Sequence, residues 1–256
     1  MHSKNIFRIW TITAILVLIT AACSPKPAPD VPADLPQDSP AEQPAENPFS
    51  PAGLGDCYNP FNPVIEGKVW SYSIQSGNIT NTQESSYKDI SSSSFTSVQK
   101  FPDITTEISW ICSPDGLLSS EYASMSITQV QNVDFDTVEV SGVIFPHEDR
   151  WQVGYSWDVV FNVKITITID DTVFEGEGEI SQTNTIASIE SVSVPAGSYP
   201  EAYRVDIAGN FKMETLGVES NIPTSYSTWY VKNVGMVKSS SDDPGFSYIT
   251  ELISWE

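Results

Sequence analysis

The 256-residue chain carries 33 acidic against 12 basic side chains, a formal charge of −21. Such a charge repels nucleic acid and anionic membrane surfaces, which excludes both as ligands. Acidity on this scale serves solubility first and hints at cation binding second.

Residues 1–8 hold Lys4 and Arg8 and no acid, an apolar run covers 9–19, and Thr20-Ala21-Ala22 stands directly before Cys23. Basic, apolar and small-residue regions in that order predict a secretory signal peptide over 1–22. The apolar run is shorter than the roughly 20 residues a membrane span needs. Ala21-Ala22-Cys23 resembles the lipobox of bacterial lipoproteins, with Thr20 where leucine is commonest. The resemblance covers these first residues alone. It implies that Cys23 is lipidated, becomes the mature N-terminus and anchors the chain in a membrane through several acyl chains, each methylene adding about 0.8 kcal/mol. Ordinary cleavage after Ala22 is the alternative. Removal of Lys4 and Arg8 from the 12 basic residues leaves the 33 acids and a formal charge near −23.

Residues 23–56 follow as a tether. Prolines recur at 25, 27, 29, 32, 36, 40, 44, 48 and 51 among Ala, Asp and Glu. A segment so poor in apolar side chains and backbone donors is expected to be disordered. At about 3.1 Å per residue in polyproline II form it would reach on the order of 80–100 Å. It reads as a stalk that holds a folded part off the membrane.

Residues 57–256 are that folded part. Short alternating runs at 69–74, 107–112, 124–130, 137–145, 157–169, 173–180, 202–207 and 228–231 predict strands, and no stretch keeps a helical period. Ser, Thr, Val, Ile, Tyr and Trp dominate, as a pleated, half-buried surface favours. The expectation is an all-β fold, an antiparallel rolled sheet or half-barrel. With Cys23 lipidated, Cys57 and Cys112 form an even pair in an oxidising compartment, which predicts a disulfide. A catalytic thiol would need a nearby base, and none is evident.

Two landmarks recur in the same order. Gly67 stands three residues before Trp70 and Gly154 three before Trp157; Trp110 is six residues before Gly116 and Trp229 six before Gly235. They suggest two related halves, about 67–120 and 154–239, with chance similarity among Trp-bearing strands as the alternative.

One hairpin can be registered. Pairing Ile169 with Thr172 sets Ile167 opposite Phe174 and Phe161 opposite Ile180. Thr166, Lys164 and Asn162 then face Glu175, Glu177 and Glu179 on the other side. Apolar residues segregate to one face, which is what fixes a register. Gly176 and Gly178 fall opposite Ile165 and Val163 on that face, where they either let the sheet bend or leave a hollow. Phe161, Val163, Ile165, Ile167, Phe174, Gly176 and Gly178 are therefore the candidate apolar ligand face.

Catalytic sets are sparse. His147, in the charged turn before Trp151, is the single histidine after the signal, so serine-type catalysis would depend on it alone. Gly154-Tyr155-Ser156-Trp157-Asp158 lacks the closing glycine of a nucleophile elbow. Glu175, Glu177 and Glu179 could hold a hard cation loosely, though a solvated strand face explains them as well. Asp134, Asp136 and Glu139 lack the glycine and remaining ligands of a calcium loop. Glycosidase-type acid pairs need a cleft.

Thr228-Trp229-Tyr230-Val231-Lys232-Asn233-Val234-Gly235-Met236-Val237-Lys238 resembles the ending of a broad group of uncharacterised bacterial secreted β domains, in which an aromatic pair precedes a turn and a Val-Lys strand. Val192-Ser193-Val194-Pro195-Ala196-Gly197-Ser198-Tyr199 resembles that group's preceding hairpin. Asn233 stands where the group has glycine. The resemblance implies rolled sheets that cradle something apolar, and it carries no catalytic residue.

The expectation is a membrane-anchored extracytoplasmic lipoprotein of the cell envelope. Its β domain binds an unknown ligand or envelope partner, without cofactor, metal or catalysis. A carrier of lipid or other hydrophobic molecules and a carboxylate-based hydrolase are the alternatives.

Overall fold

The computed structural model describes residues 51–121, 133–169, 172–215, 218–243 and 247–256. The signal, Cys23, the tether through residue 50, the strand expected at 124–130 and the Asp170-Asp171 turn lie outside them. After one helical turn, Pro51–Leu54, thirteen strands follow. They are β1 Val69–Ser76, β2 Ile79–Lys88, β3 Ser94–Lys100, β4 Thr105–Ser113, β5 Gly116–Ser119, β6 Val133–Gly142 and β7 Phe145–Pro146, then β8 Ser156–Ile169, β9 Thr172–Val194, β10 Gly197–Thr215, β11 Val218–Val231, β12 Gly235–Ser241 and β13 Tyr248–Trp255. They form one antiparallel sheet in the order β6-β8-β9-β10-β11-β12-β13-β1-β2-β3-β4-β5-β7.

The ends of that order are neighbours in sequence. Only Val143 and Ile144 separate β6, beside β8, from β7, beside β5. Three Cα steps of 3.8 Å span at most about 11 Å, so the sheet must roll until its edges meet at this corner. Both sides of the corner need glycine. A methyl on Gly116 would overlap the Phe145 carbonyl oxygen, and one on Gly142 the Asp158 carbonyl oxygen.

The two landmarks fall on corresponding strands of two five-stranded meanders, β1–β5 and β8–β12. Gly67 and Gly154 precede the first strand of each. Trp110 and Trp229 lie on the fourth, and Gly116 and Gly235 open the fifth. All four glycines have positive φ, at 76°, 91°, 140° and 93°.

The base of the roll, where β1, β3 and β5 begin, is filled by the segment before β1. Leu54, Cys57, Phe61 and Val64 are buried there with Phe95, Leu117, Phe145, Trp151, Ile186 and Val205. The Phe61 ring stacks on Trp151 at 3.9 Å between centroids. Asn59 Nδ2 donates to the Pro146 carbonyl at 3.0 Å, and the Asn233 amide donates to that of Pro60 at 2.7 Å. Cys57 is bonded to Cys112 at the end of β4. Leu54 already belongs to this core, so the folded part begins upstream of residue 57.

Away from the base, the buried residues of several strands turn polar: Ser97, Gln99, Thr228, Ser239, Ser241 and Thr250. Hydrogen bonds satisfy many of them, such as Trp110 Nε1 to Ser97 Oγ at 2.9 Å and the Thr228–Ser239 hydroxyl pair at 3.1 Å. Burying these groups costs little while they are paired.

Candidate functional site

Every pair set out above for the β8–β9 hairpin is present, from Ile169 opposite Thr172 to Phe161 opposite Ile180. On its apolar face Phe161, Val163 and Ile165 are buried and pack with Phe135, Ile167, Phe211 and Met213. Phe135 on β6 and Phe211 on β10 are three strand spacings apart, about 14 Å in a flat sheet. Their rings nevertheless meet at 5.9 Å between centroids. The sheet is therefore curled tightly where Gly176 and Gly178 sit opposite Ile165 and Val163. A Cβ on Gly178 would lie 3.0 Å from both Ile165 Cδ1 and Phe211 Cε2. Neighbouring side chains thus occupy the room left over Gly178. Phe174 is half-buried farther out, near the hairpin tip.

The acids of the opposite face remain on the surface. Lys164 pairs with Glu175 at 2.8 Å and Lys212 with Glu179 at 3.2 Å, while Glu177 stands directly across from Glu214. Asp134, Asp136 and Glu139 lie along strand β6 rather than in a loop. Among the described residues no three His, Cys, Asp or Glu groups converge as a metal site would require. His147 Nδ1 is 3.0 Å from Asp149 Oδ1 in an exposed turn. Ser156 Oγ bonds the Asn184 carbonyl and the Thr185 hydroxyl, away from that histidine.

Two concavities stand out on the described surface. The larger, about 610 Å³, is a groove along β9–β12 between Thr183, Arg204, Asp206, Ser227, Trp229 and Asp243. Arg204 and Asp206 in its lining are paired, and Asp243 accepts from the Ser225 amide at 2.8 Å; Glu190 lies beside Arg204. Glu190 Oε1 accepts from Trp229 Nε1 at 2.7 Å and Oε2 from Ser188 at 2.8 Å. The indole bond first, then Ser188 and the Arg204 charge, hold its carboxyl below the usual range. Asp206 accepts from Ser227 at 2.7 Å and pairs with Arg204 Nε at 3.1 Å, a contact too bent to be a hydrogen bond.

The smaller, about 400 Å³, lies at the corner where the sheet's edges meet. One wall comes from β4 and β5 with Ile111, Ser113, Asp115 and Leu118; the other holds Gly142, Val143, Arg150, Tyr155, Trp157 and Asp158. Arg150 Nη2 binds Asp115 Oδ1 at 3.0 Å and Nη1 reaches the Tyr155 hydroxyl at 3.5 Å; these bonds raise the guanidinium's pKa, Tyr155 contributing most. The rings of Tyr155 and Trp157 stack at 5.8 Å between centroids. Asp158 Oδ1 accepts from Thr183 Oγ1 at 2.6 Å. The Trp157 indole N–H is buried and has no hydrogen-bond partner. In the groove the Arg204 Nε–H likewise lacks a hydrogen-bond partner.

None of the seam residues was singled out as a binding residue from sequence. In the sequence Tyr155 and Asp158 figure in a rejected nucleophile elbow and Trp157 also as a repeat landmark, and no local pattern links them to Asp115 and Ile111 on another edge of the sheet.

The family model described as DUF3108-like matches residues 66–245, from just before β1 to just beyond β12. The chain belongs to the DUF3108-like family. No curated protein matches this DUF3108-like chain significantly. Two crystal structures resemble it. One is a protein of Bacteroides fragilis described as a "putative exported protein with YmcC-like fold", at 16% identity and a TM-score of 0.51, covering 77% of this chain and 98% of its own. The other is a "putative lipoprotein" of Parabacteroides distasonis, at 18% identity and a TM-score of 0.49, with the same coverage. At such identity the first of these likenesses speaks to the fold of the DUF3108-like sheet and to nothing further.

Proposed function

We propose that this DUF3108-like chain is an extracytoplasmic lipoprotein, held to a membrane through Cys23, whose β head binds a ligand or envelope partner and catalyses no reaction. The observation that carries the reading is the seam, a cleft with aromatic, aliphatic and charged walls and, among the described residues, no catalytic set. Its two carboxylates are exposed, Asp115 in an ion pair with Arg150 and Asp158 accepting from Thr183. The carrier alternative is weakened by the rings that fill the apolar face over Gly178. The signal-like segment with its lipobox-like end, and the Pro-rich tether, support the location.

Labelling of the full-length chain with a fatty acid in a bacterial host tests the anchor. Label retained in the membrane fraction and lost in Cys23→Ser is expected. An unlabelled chain recovered from the cytosol would sink the location. Turnover of glycoside, ester or peptide substrates that disappears in Asp158→Asn would sink the non-catalytic reading.

A further inference from the structure

We infer that the outer end of strand β11 is a latent self-association surface of this chain, and that Pro223, Ser241 and Asp243 keep it shut. The inference concerns the chain's encounters with its own copies and stands apart from ligand binding.

Strand β11 outruns its neighbour. It pairs with β10 from Val218 to Tyr230 without a register shift, but with β12 only from Ser227 to Val231. After Ser241 the chain turns back into β13, whose Tyr248 stands opposite Ser241. Among the described residues, no strand lies beside Glu219–Ser225 on the side away from β10. An edge of this kind offers unpaired amides and carbonyls to any strand that arrives. Ile222, 47% exposed on it, adds apolar surface.

The backbone bonds of Ser225 tell which groups the edge presents. Its amide donates to Asp243 Oδ2 at 2.8 Å, and its carbonyl accepts from Ser241 Oγ at 2.8 Å. Both groups therefore point away from β10, towards the side that β12 has left. Alternate residues of a strand direct their backbone groups to the same side, so Glu219, Asn221 and Pro223 face that way too. Side chains have taken the place of a strand at Ser225, and Pro223 has no N–H to offer. The Asp243 amide in turn donates to Ser241 Oγ at 3.3 Å, which ties the two caps together.

The occupant such an edge suits is a second copy of itself. Two copies related by a twofold axis through Ile222 would set Asn221 opposite Pro223 and Glu219 opposite Ser225, pairs whose backbone groups all face the junction. No like charges oppose each other in that register, and Ile222 would meet Ile222. In the chain as it stands, the Ser225 amide and carbonyl are taken and Pro223 cannot donate. Only the bond from the Asn221 amide to the Pro223 carbonyl is left, once in each direction. Moving the axis to Pro223 leaves no bond at all. Moving it to Asn221 shortens the ladder and still loses the Pro223 donor.

The test is the association state of the full-length chain in a nonionic detergent, followed by sedimentation velocity over about a hundredfold range of concentration. The parent should remain a monomer. Pro223→Thr combined with Ser241→Ala and Asp243→Ala opens the edge and should give a concentration-dependent dimer, with an association constant at least about tenfold above the parent's. Adding Asn221→Pro should return the opened chain to a monomer; the Asn221 N–H points away from β10, so no bond to that strand is lost. Adding Ile222→Cys instead should give, on mild oxidation, a disulfide-linked dimer that is not seen when Ile222 is retained. Directly opposed residues of a non-hydrogen-bonded pair lie about 4.5 Å apart between Cα atoms, within disulfide reach. A parent that dimerises as strongly as the opened chain would overturn the inference. So would an opened chain with the parental circular dichroism that stays monomeric, or a dimer that survives Asn221→Pro. If the triple variant fails to fold, Pro223→Thr alone decides, being a single change at an exposed position: association stronger than the parent's supports the inference and equal association refutes it.

Discussion

Gly116 and Gly142 hold the corner of the roll at positions where a methyl group has no room. Both have positive φ, at 140° and 85°, and a Cβ at either would strike a backbone carbonyl of the facing strand. Gly154 has a similar φ of 91° but open space around it. Gly116→Ala is therefore expected to lower stability by about 3 kcal/mol, from strain and forced separation of β5 from β7 together. Gly154→Ala should cost only the conformational part, about 1–2 kcal/mol. Urea titrations of the two variants side by side check the difference, and equal midpoints would refute it. The positions of these glycines could be read from sequence, because Gly116 and Gly154 stand at fixed distances from a tryptophan. Their reasons could not, since the obstructing carbonyls of Phe145 and Asp158 come from other strands.

At the scale of the element, the β8–β9 hairpin was fully legible. Its apolar or glycine positions alternate with polar ones from Phe161 to Ile169 and again from Phe174 to Ile180, and a slip by one would exchange the faces. Strand β2 gave no such signal. Asn81, Gln83 and Ser85 stand opposite Ile74, Tyr72 and Trp70 of β1, so a polar strand forms one wall of the roll and periodicity of apolar residues does not mark it. The far half of β9 was missed for a related reason, since Ser181–Thr185 is polar throughout. Beyond the hairpin, Glu177, Glu214 and Glu219 face one another across β9, β10 and β11. Like charges directly opposed destabilise a sheet. Glu214→Lys, placed between two carboxylates, is expected to raise stability by about 0.5–1 kcal/mol at low salt. The gain should shrink in high salt as screening weakens both repulsion and attraction. A thermal scan at two ionic strengths measures it, and a variant less stable than the parent at low salt would contradict it.

For the whole molecule, the rolled antiparallel architecture followed from short alternating strands, but the seam did not. Asp115, Arg150 and Asp158 become neighbours only because residues 133–146 change partner part-way, a tertiary event with no local sequence signature. The roll also buries phenols. Tyr72 is buried and Tyr87 and Tyr230 are partly buried against the core, and burial first, then the nearness of other phenols, raises their pKa values above the ordinary 10.0. A proton held more tightly in the folded state than in the unfolded one gives stability that is complete below pH 10.0 and declines as pH climbs past it. Alkaline titration should therefore show tyrosinate absorbance from these rings appearing together with loss of the β circular-dichroism signal. Full ionisation with the sheet intact would refute this. The bond between Cys57 and Cys112 has a mechanical consequence. If the chain is pulled from its N-terminus, tension crosses from Cys57 directly to the end of β4, so the 55-residue covalent loop is bypassed. Traction on the tether can then neither unthread residues 58–68, the rest of the segment before β1, nor peel off β1, β2 or β3 one after another; the load falls first on β4 and its neighbours.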